Sequence, residues 1–225
     1  MAWWDFFVFL HKQFNMLEVK DATIAVSGKV LVKNLSFIAD DGKITCITGP
    51  EGSGKTTFLR TLMGFLPVTE GFVSVDGELL TVQSAPAFRK MMCYLPQNIH
   101  LLRNQLYQPQ PPQVEADEYG VWNGILPSAA EIPETEPLLP EEVLRLAEAT
   151  IAEATNKPIL VADEPASHLS PELTPQMLQL LQQQAAQGKC VLIASRNPQL
   201  IAYAHHVIDL NQFQIWLQHW YYIPF

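Results

Sequence analysis

Short apolar runs separated by turn residues occupy the chain from Leu17 onward. LEVKDATIAV (17–26), VLVKNLSFIA (30–39) and the buried-looking KITCIT (43–48) read as strands. TFLRTLMGFL (57–66) reads as a helix. Gly71 to Leu80 reads as two short strands around Asp76-Gly77, a hairpin signal. MMCYLPQ (91–97) is a strand ending in a polar loop. Helical spacing and propensity return in EEVLRLAEATIAEA (141–154) and PELTPQMLQLLQQQAAQ (171–187), the latter broken by Gly188. PILVADEP, CVLIAS and HVIDL read as further strands, PQLIAYA as a short helix, and QIWLQHWYYIPF (214–225) as a last strand with an aromatic tail. Alternating strands and helices predict an α/β fold with a largely parallel core sheet.

Composition narrows this picture. At 225 residues the chain is one domain, or one domain with a subdomain. No apolar run reaches the length that spans a membrane. Cys46, Cys93 and Cys190 sit in apolar, strand-like runs, as small core residues suited to a reducing cytoplasm. The net charge of −9 argues against nucleic-acid binding. The excess is local: residues 104–153 hold ten acids and one base, Arg145, and the remainder carries thirteen of each sign. Within that region, residues 104–140 contain seven prolines and no lysine, which reads as a loose, irregular insertion. Residues 1–15 lack a basic leader and a small-residue cleavage site. Two readings of them stand: a mis-called start ahead of Met16, or an interfacial anchor with Trp3, Phe7, Leu10 and Phe14 on one helical face.

Chemistry enters at GPEGSGKTT, residues 49–57. Gly49, Gly54, Lys55 and Thr56 meet the phosphate-loop pattern G-x-x-x-x-G-K-S/T. Glycines let the backbone curl so that successive N–H groups face phosphate oxygens. A helix opening near Lys55 adds its positive N-terminal end. Lys55 is placed to reach the β- and γ-phosphates, and the Thr56 hydroxyl to ligate Mg²⁺. A strand before the loop and a helix after it supply the context that this pattern requires. Pro50, Glu51, Gly52, Ser53 and Thr57 complete the expected nucleotide cradle. Downstream, VADEP sets Asp163 and Glu164 at the end of an apolar run. There one carboxylate can hold Mg²⁺ through water and the next can polarise an attacking water.

Together these motifs resemble the nucleotide-binding domain of an ABC transporter. GPEGSGKTT resembles that family's Walker A motif, LPQ with Gln97 its Q-loop, and LVADEP its Walker B motif with the catalytic glutamate. The resemblance runs from about Leu17 to Leu217. It implies a P-loop NTPase (RecA-like) core, an antiparallel β-subdomain, and a helical subdomain over about 104–156, here shortened and irregular. It implies ATP and Mg²⁺ as ligands, with Glu164, Gln97 and Arg196 in catalytic positions and Thr56, Gln97 and Asp163 around the metal. It further implies a transmembrane permease subunit, a second nucleotide-binding domain sharing two ATP molecules, and a cytoplasmic position on the inner face of the cell membrane.

The family pattern is broken elsewhere. Where the LSGGQ signature is expected the chain reads LLPEEVLRLAEA. Leu139 aligns with the signature leucine, and Pro140, Glu141 and Glu142 replace the serine and glycines. Facing a γ-phosphate at 4 Å, each such carboxylate would cost about 4 kcal/mol at an effective dielectric of 20. Arg196 stands where the switch histidine is expected, Ser170 where the D-loop has aspartate, and the region near Val26 lacks the ring that stacks on adenine. His168 reads as an ordinary loop residue. These departures predict firm nucleotide binding with slow hydrolysis, and a heterodimer in which a paralogue supplies the intact signature. The alternative is a nucleotide-responsive regulatory or binding module with little ATPase activity, its acidic insertion serving as the partner surface.

Overall fold

The computed structural model describes residues 17–26, 28–99, 102 and 138–213. The expectations for residues 1–15, for the insertion up to 137 and for the strand at 214–225 lie outside that set.

The first sheet is antiparallel, with strand order β2-β1-β4-β5. Its strands are β1 (Leu17–Val26), β2 (Lys29–Ala39), β4 (Glu70–Val75) and β5 (Glu78–Leu79). Along β1, Leu17 and Val19 are buried, and then Ala22 and Ile24 in the opposite parity. The change of phase falls at Asp21, whose φ is +50°, where the register with β2 shifts. An inserted residue is what returns apolar side chains to the same face. Gly71 lies against this irregularity with φ +75°, and a Cβ there would stand 2.3 Å from the Lys20 carbonyl oxygen. The Asp76-Gly77 turn has positive φ at both residues and pairs Val75 with Glu78, the two-residue hairpin read from the sequence.

The second sheet is parallel, in the order β6-β7-β8-β3-β9. It comprises β3 (Ile44–Thr48), β6 (Met92–Leu95), β7 (Ile159–Asp163), β8 (Cys190–Ala194) and β9 (His206–Asp209). β7 and β8 are buried at every position, as expected of parallel strands covered on both faces. Alternate residues face two cores. Ile47, Ile159, Val161 and Leu192 join the antiparallel sheet and helix α1 (Lys55–Leu62). Ile44, Cys46, Leu160 and Ile193 join helices α3 (Pro140–Glu153) and α4 (Thr174–Ala186) on the other side. The three cysteines are free and buried within these cores.

Two helices depart from the expected bounds, each for a local reason. α1 ends at Leu62 instead of running to Leu66. Gly64 takes φ +71°, and the N–H groups of Gly64 and Phe65 return to the carbonyls of Thr61 and Arg60, a Schellman closure. α4 begins at Thr174, not Pro171, because Pro175 has no N–H to give the carbonyl of Pro171. Two shorter helices, α2 (Ala85–Lys90) and α5 (Pro198–Ala202), complete the described fold with a 3₁₀ turn at Leu210–Phe213.

Candidate functional site

Strand order gathers the site. β3, β8 and β7 are neighbours, and the register sets Ala194 beside both Ile47 and Asp163. Their C-terminal ends therefore deliver the loop after β3, Asp163 with Glu164 after β7, and Arg196 after β8 to one edge. β6 lies beyond β7, with Leu95 opposite Ala162, and adds Gln97. Ligands of open α/β sheets bind at such an edge.

The loop after β3 is shaped by its glycines. Gly49, Gly52 and Gly54 all have positive φ. A Cβ on Gly49 would come within 2.7 Å of Ser53 Oγ, and one on Gly54 within 3.1 Å of Leu31 Cδ1. Pro50 carbonyl accepts from Ser53 N–H, and Gly54 carbonyl accepts from Phe58 N–H, opening α1. Lys55 is buried at the centre of the curl. Its Nζ donates to the carbonyls of Gly49 at 2.9 Å and Pro50 at 3.1 Å. Thr56 and Thr57 follow, half-buried, in the first turn.

Glu164 is the hub. It holds φ +47°, a rare conformation for a side chain larger than glycine, and its N–H donates to the Ala194 carbonyl. Its Oε1 lies 3.4 Å from Lys55 Nζ and 3.3 Å from Arg196 Nε, and its Oε2 accepts from the Arg196 backbone N–H. Arg196 reaches further, placing Nη1 3.0 Å from Glu51 Oε2. Asn197 anchors that segment by accepting from the N–H groups of Gln199 and Leu200 at the start of α5. The sequence places Glu51 in the nucleotide cradle. Its side-chain pairing with Arg196 depends on strand order, which no local motif reports.

Asp163 is 1% exposed, and both carboxylate oxygens lack a hydrogen-bond partner among the described residues. Burial pushes its carboxyl up from the ordinary value, while the nearby Thr56 hydroxyl pulls it down without meeting either oxygen in good hydrogen-bond geometry. A buried, unpartnered carboxylate beside a hydroxyl suits a hard divalent cation that takes its remaining oxygens from phosphate and water. Among the described residues no larger ligand cluster competes for that assignment.

Other predicted residues sit less centrally. Gln97 is exposed at the rim of a small cleft that Glu164, Ser167 and His168 also line. Ser170 closes the turn into α4, its carbonyl accepting from the Leu173 and Thr174 N–H groups. At the start of α3, Glu141 and Glu142 are exposed, and Glu142 Oε2 accepts from the Leu139 N–H at 3.1 Å. The helix end that the family pattern would offer to a phosphate is thus capped by its own carboxylate.

The family model described as ABC transporter matches residues 32–167, more than half of the chain. An iron–sulfur clusters transporter, ATM1, of Yarrowia lipolytica is 29% identical over 199 residues, covering 81% of this chain and 28% of its own length. A hemin import ATP-binding protein of Chelativorans sp. is 33% identical over 86 residues, covering 38% of this chain and 33% of its own. The chain thus spans about a third of the length of these curated relatives. Among solved structures, a bacterial Atm1-family exporter with ATP bound superposes with a TM-score of 0.66 at 21% identity, over 90% of this chain and 38% of that one. A dimeric ATP-binding cassette bound to ADP and Pi gives 0.64 at 20% identity, over 88% of this chain and 96% of that one. These likenesses give the fold as that of an ATP-binding cassette.

Proposed function

The chain belongs to the ABC transporter family, and from that premise we propose that it is the ATP-binding subunit of a transporter, one that grips Mg-ATP firmly and hydrolyses it slowly by itself. The observation that carries this reading is the convergence of Lys55, Asp163, Glu164 and Arg196 around a glycine-shaped loop.

The residues divide into a gripping set and a sensing set. Loop N–H groups from Gly49 to Thr56 and the Lys55 ammonium bind the β- and γ-phosphates. Thr56 and Asp163 would hold Mg²⁺, with Gln97 completing its surroundings; bound there, the ion supplies charge neutralisation between the phosphate oxygens. Glu164 orients and deprotonates the attacking water. It does so only when Lys55 and Arg196 turn from its carboxylate to the phosphates, because both hold it.

The sensing set is altered. Glu142 caps the Leu139 N–H, so α3 offers a partner's γ-phosphate a carboxylate and no free hydroxyl. An asymmetric pair follows: this chain's loop faces an intact signature on a paralogue, and a transmembrane subunit receives the motion. Membrane attachment is then through that subunit; among the described residues no helix is long and apolar enough to cross a membrane.

Steady-state phosphate release tests the division. The purified chain should turn over about a hundredfold to a thousandfold more slowly than a variant carrying Pro140→Ser, Glu141→Gly, Glu142→Gly and Arg196→His. Turnover of several per second by the unmodified chain would refute it.

A further inference from the structure

We infer that Glu51 tunes the nucleotide affinity of this site: its carboxylate holds the Arg196 guanidinium, and an incoming nucleotide must displace it. This rests on the nucleotide-binding reading above and concerns the regulation of the same loop.

Four observations converge. Glu51 lies in the curl between Gly49 and Gly52, the stretch whose N–H groups would receive phosphate. Its Oε2 stands 3.0 Å from Arg196 Nη1. The same guanidinium gives Nε to Glu164 at 3.3 Å, so one cation spans a carboxylate of the loop and the carboxylate after β7. The arginine's backbone is pinned: its N–H donates to Glu164, and the next residue, Asn197, caps α5. Arg196 can change partner only by swinging its side chain, which already reaches the loop at Glu51.

A polyphosphate entering the curl acts on this network in two ways of the same sign. It competes with Glu51 for Arg196, and it meets the Glu51 carboxylate as a like charge. The pair is solvent-exposed on the Glu51 side, at 87%, so the effect is modest and salt-sensitive. Lys55 has no such exposed competitor, since its contacts are loop carbonyls and the buried Glu164. Glu51 therefore tunes affinity while Lys55 makes binding possible.

The test is an equilibrium titration of the full chain with Mg-ATP, in the wild type, Glu51→Gln, Arg196→Gln and the double variant. Glu51→Gln should tighten ATP about three- to fivefold, the worth of an exposed ion pair. In the Arg196→Gln background the same substitution should gain less than about twofold, because only the screened like-charge repulsion is left once the competition for Arg196 is gone. Higher salt should shrink the Glu51→Gln gain. An equal gain in both backgrounds, or no gain in either, overturns the inference and leaves nucleotide binding standing. Absence of ATP binding by the wild type overturns the nucleotide reading itself. Melting without nucleotide checks each fold. Should Arg196→Gln fail to fold, Arg196→Lys replaces it: a point charge cannot span both carboxylates, so the Glu51→Gln gain should still fall, and an undiminished gain overturns the inference.

Discussion

Lys55 Nζ lies 3.4 Å from Glu164 Oε1, and both side chains are less than a tenth exposed. The cation that would bind phosphate and the carboxylate that would activate water are each other's partners. Removing the charge of Glu164 therefore removes a competitor for phosphate as well as a base. Glu164→Gln should bind ATP about fivefold more tightly, about 1 kcal/mol, and lose hydrolysis by about a hundredfold or more. Titration and phosphate release on the same preparation check both halves. Weaker binding in Glu164→Gln would mean that the carboxylate positions Lys55 and does not compete for its charge.

Asp163 carries a different cost. A buried carboxylate with neither oxygen partnered among the described residues is destabilising until a cation meets it. Asp163→Asn should raise the melting temperature of the nucleotide-free protein by about 2–4 °C, corresponding to about 1 kcal/mol. It should also abolish the extra stabilisation that Mg²⁺ gives over ATP alone. A lowered melting temperature without nucleotide would show that the charge is satisfied in the folded chain.

The thiols give a pH-dependent prediction. Burial pushes Cys46 and Cys190 from the ordinary 9.0 to about 12, and raises Cys93 in the same direction. At pH 8 about one Cys46 in ten thousand is ionised, so a thiol reagent should label the native chain only through unfolding. Because the folded values lie above the unfolded one, the stability gained by keeping these thiols neutral is complete below pH 9. It is lost as the pH rises from 9 towards about 12. The variant Cys46→Ala with Cys190→Ala should lose stability less steeply across that window in denaturant titrations. Equal slopes would place the alkaline sensitivity elsewhere.

Much of this was legible in local sequence. The phosphate loop, the apolar strands β3, β7 and β8, and the Asp76-Gly77 hairpin each declare themselves within ten residues, because glycine placement and side-chain period are local properties. The end of α1 is masked in the sequence because Met63 and Phe65 continue the apolar pattern past the stop at Gly64. The start of α4 is masked because Pro171 resembles a first-turn proline, a role that Pro175 fills. The Glu51–Arg196–Glu164 bridge was beyond sequence reasoning. It joins residues 145 positions apart through the order β7-β8-β3, which is fixed by packing and not by any one segment.

The central claim is that the loop from Gly49 to Thr57 holds nucleotide phosphate, and ligand-dependent melting tests it most directly. With Mg-ATP at a hundred times its dissociation constant, the wild type should gain about 2.7 kcal/mol of stability. Lys55→Ala should melt lower without nucleotide, because Glu164 loses a buried partner, and should gain nothing when Mg-ATP is added. An undiminished gain in Lys55→Ala, or no gain in the wild type at millimolar Mg-ATP, would contradict the account.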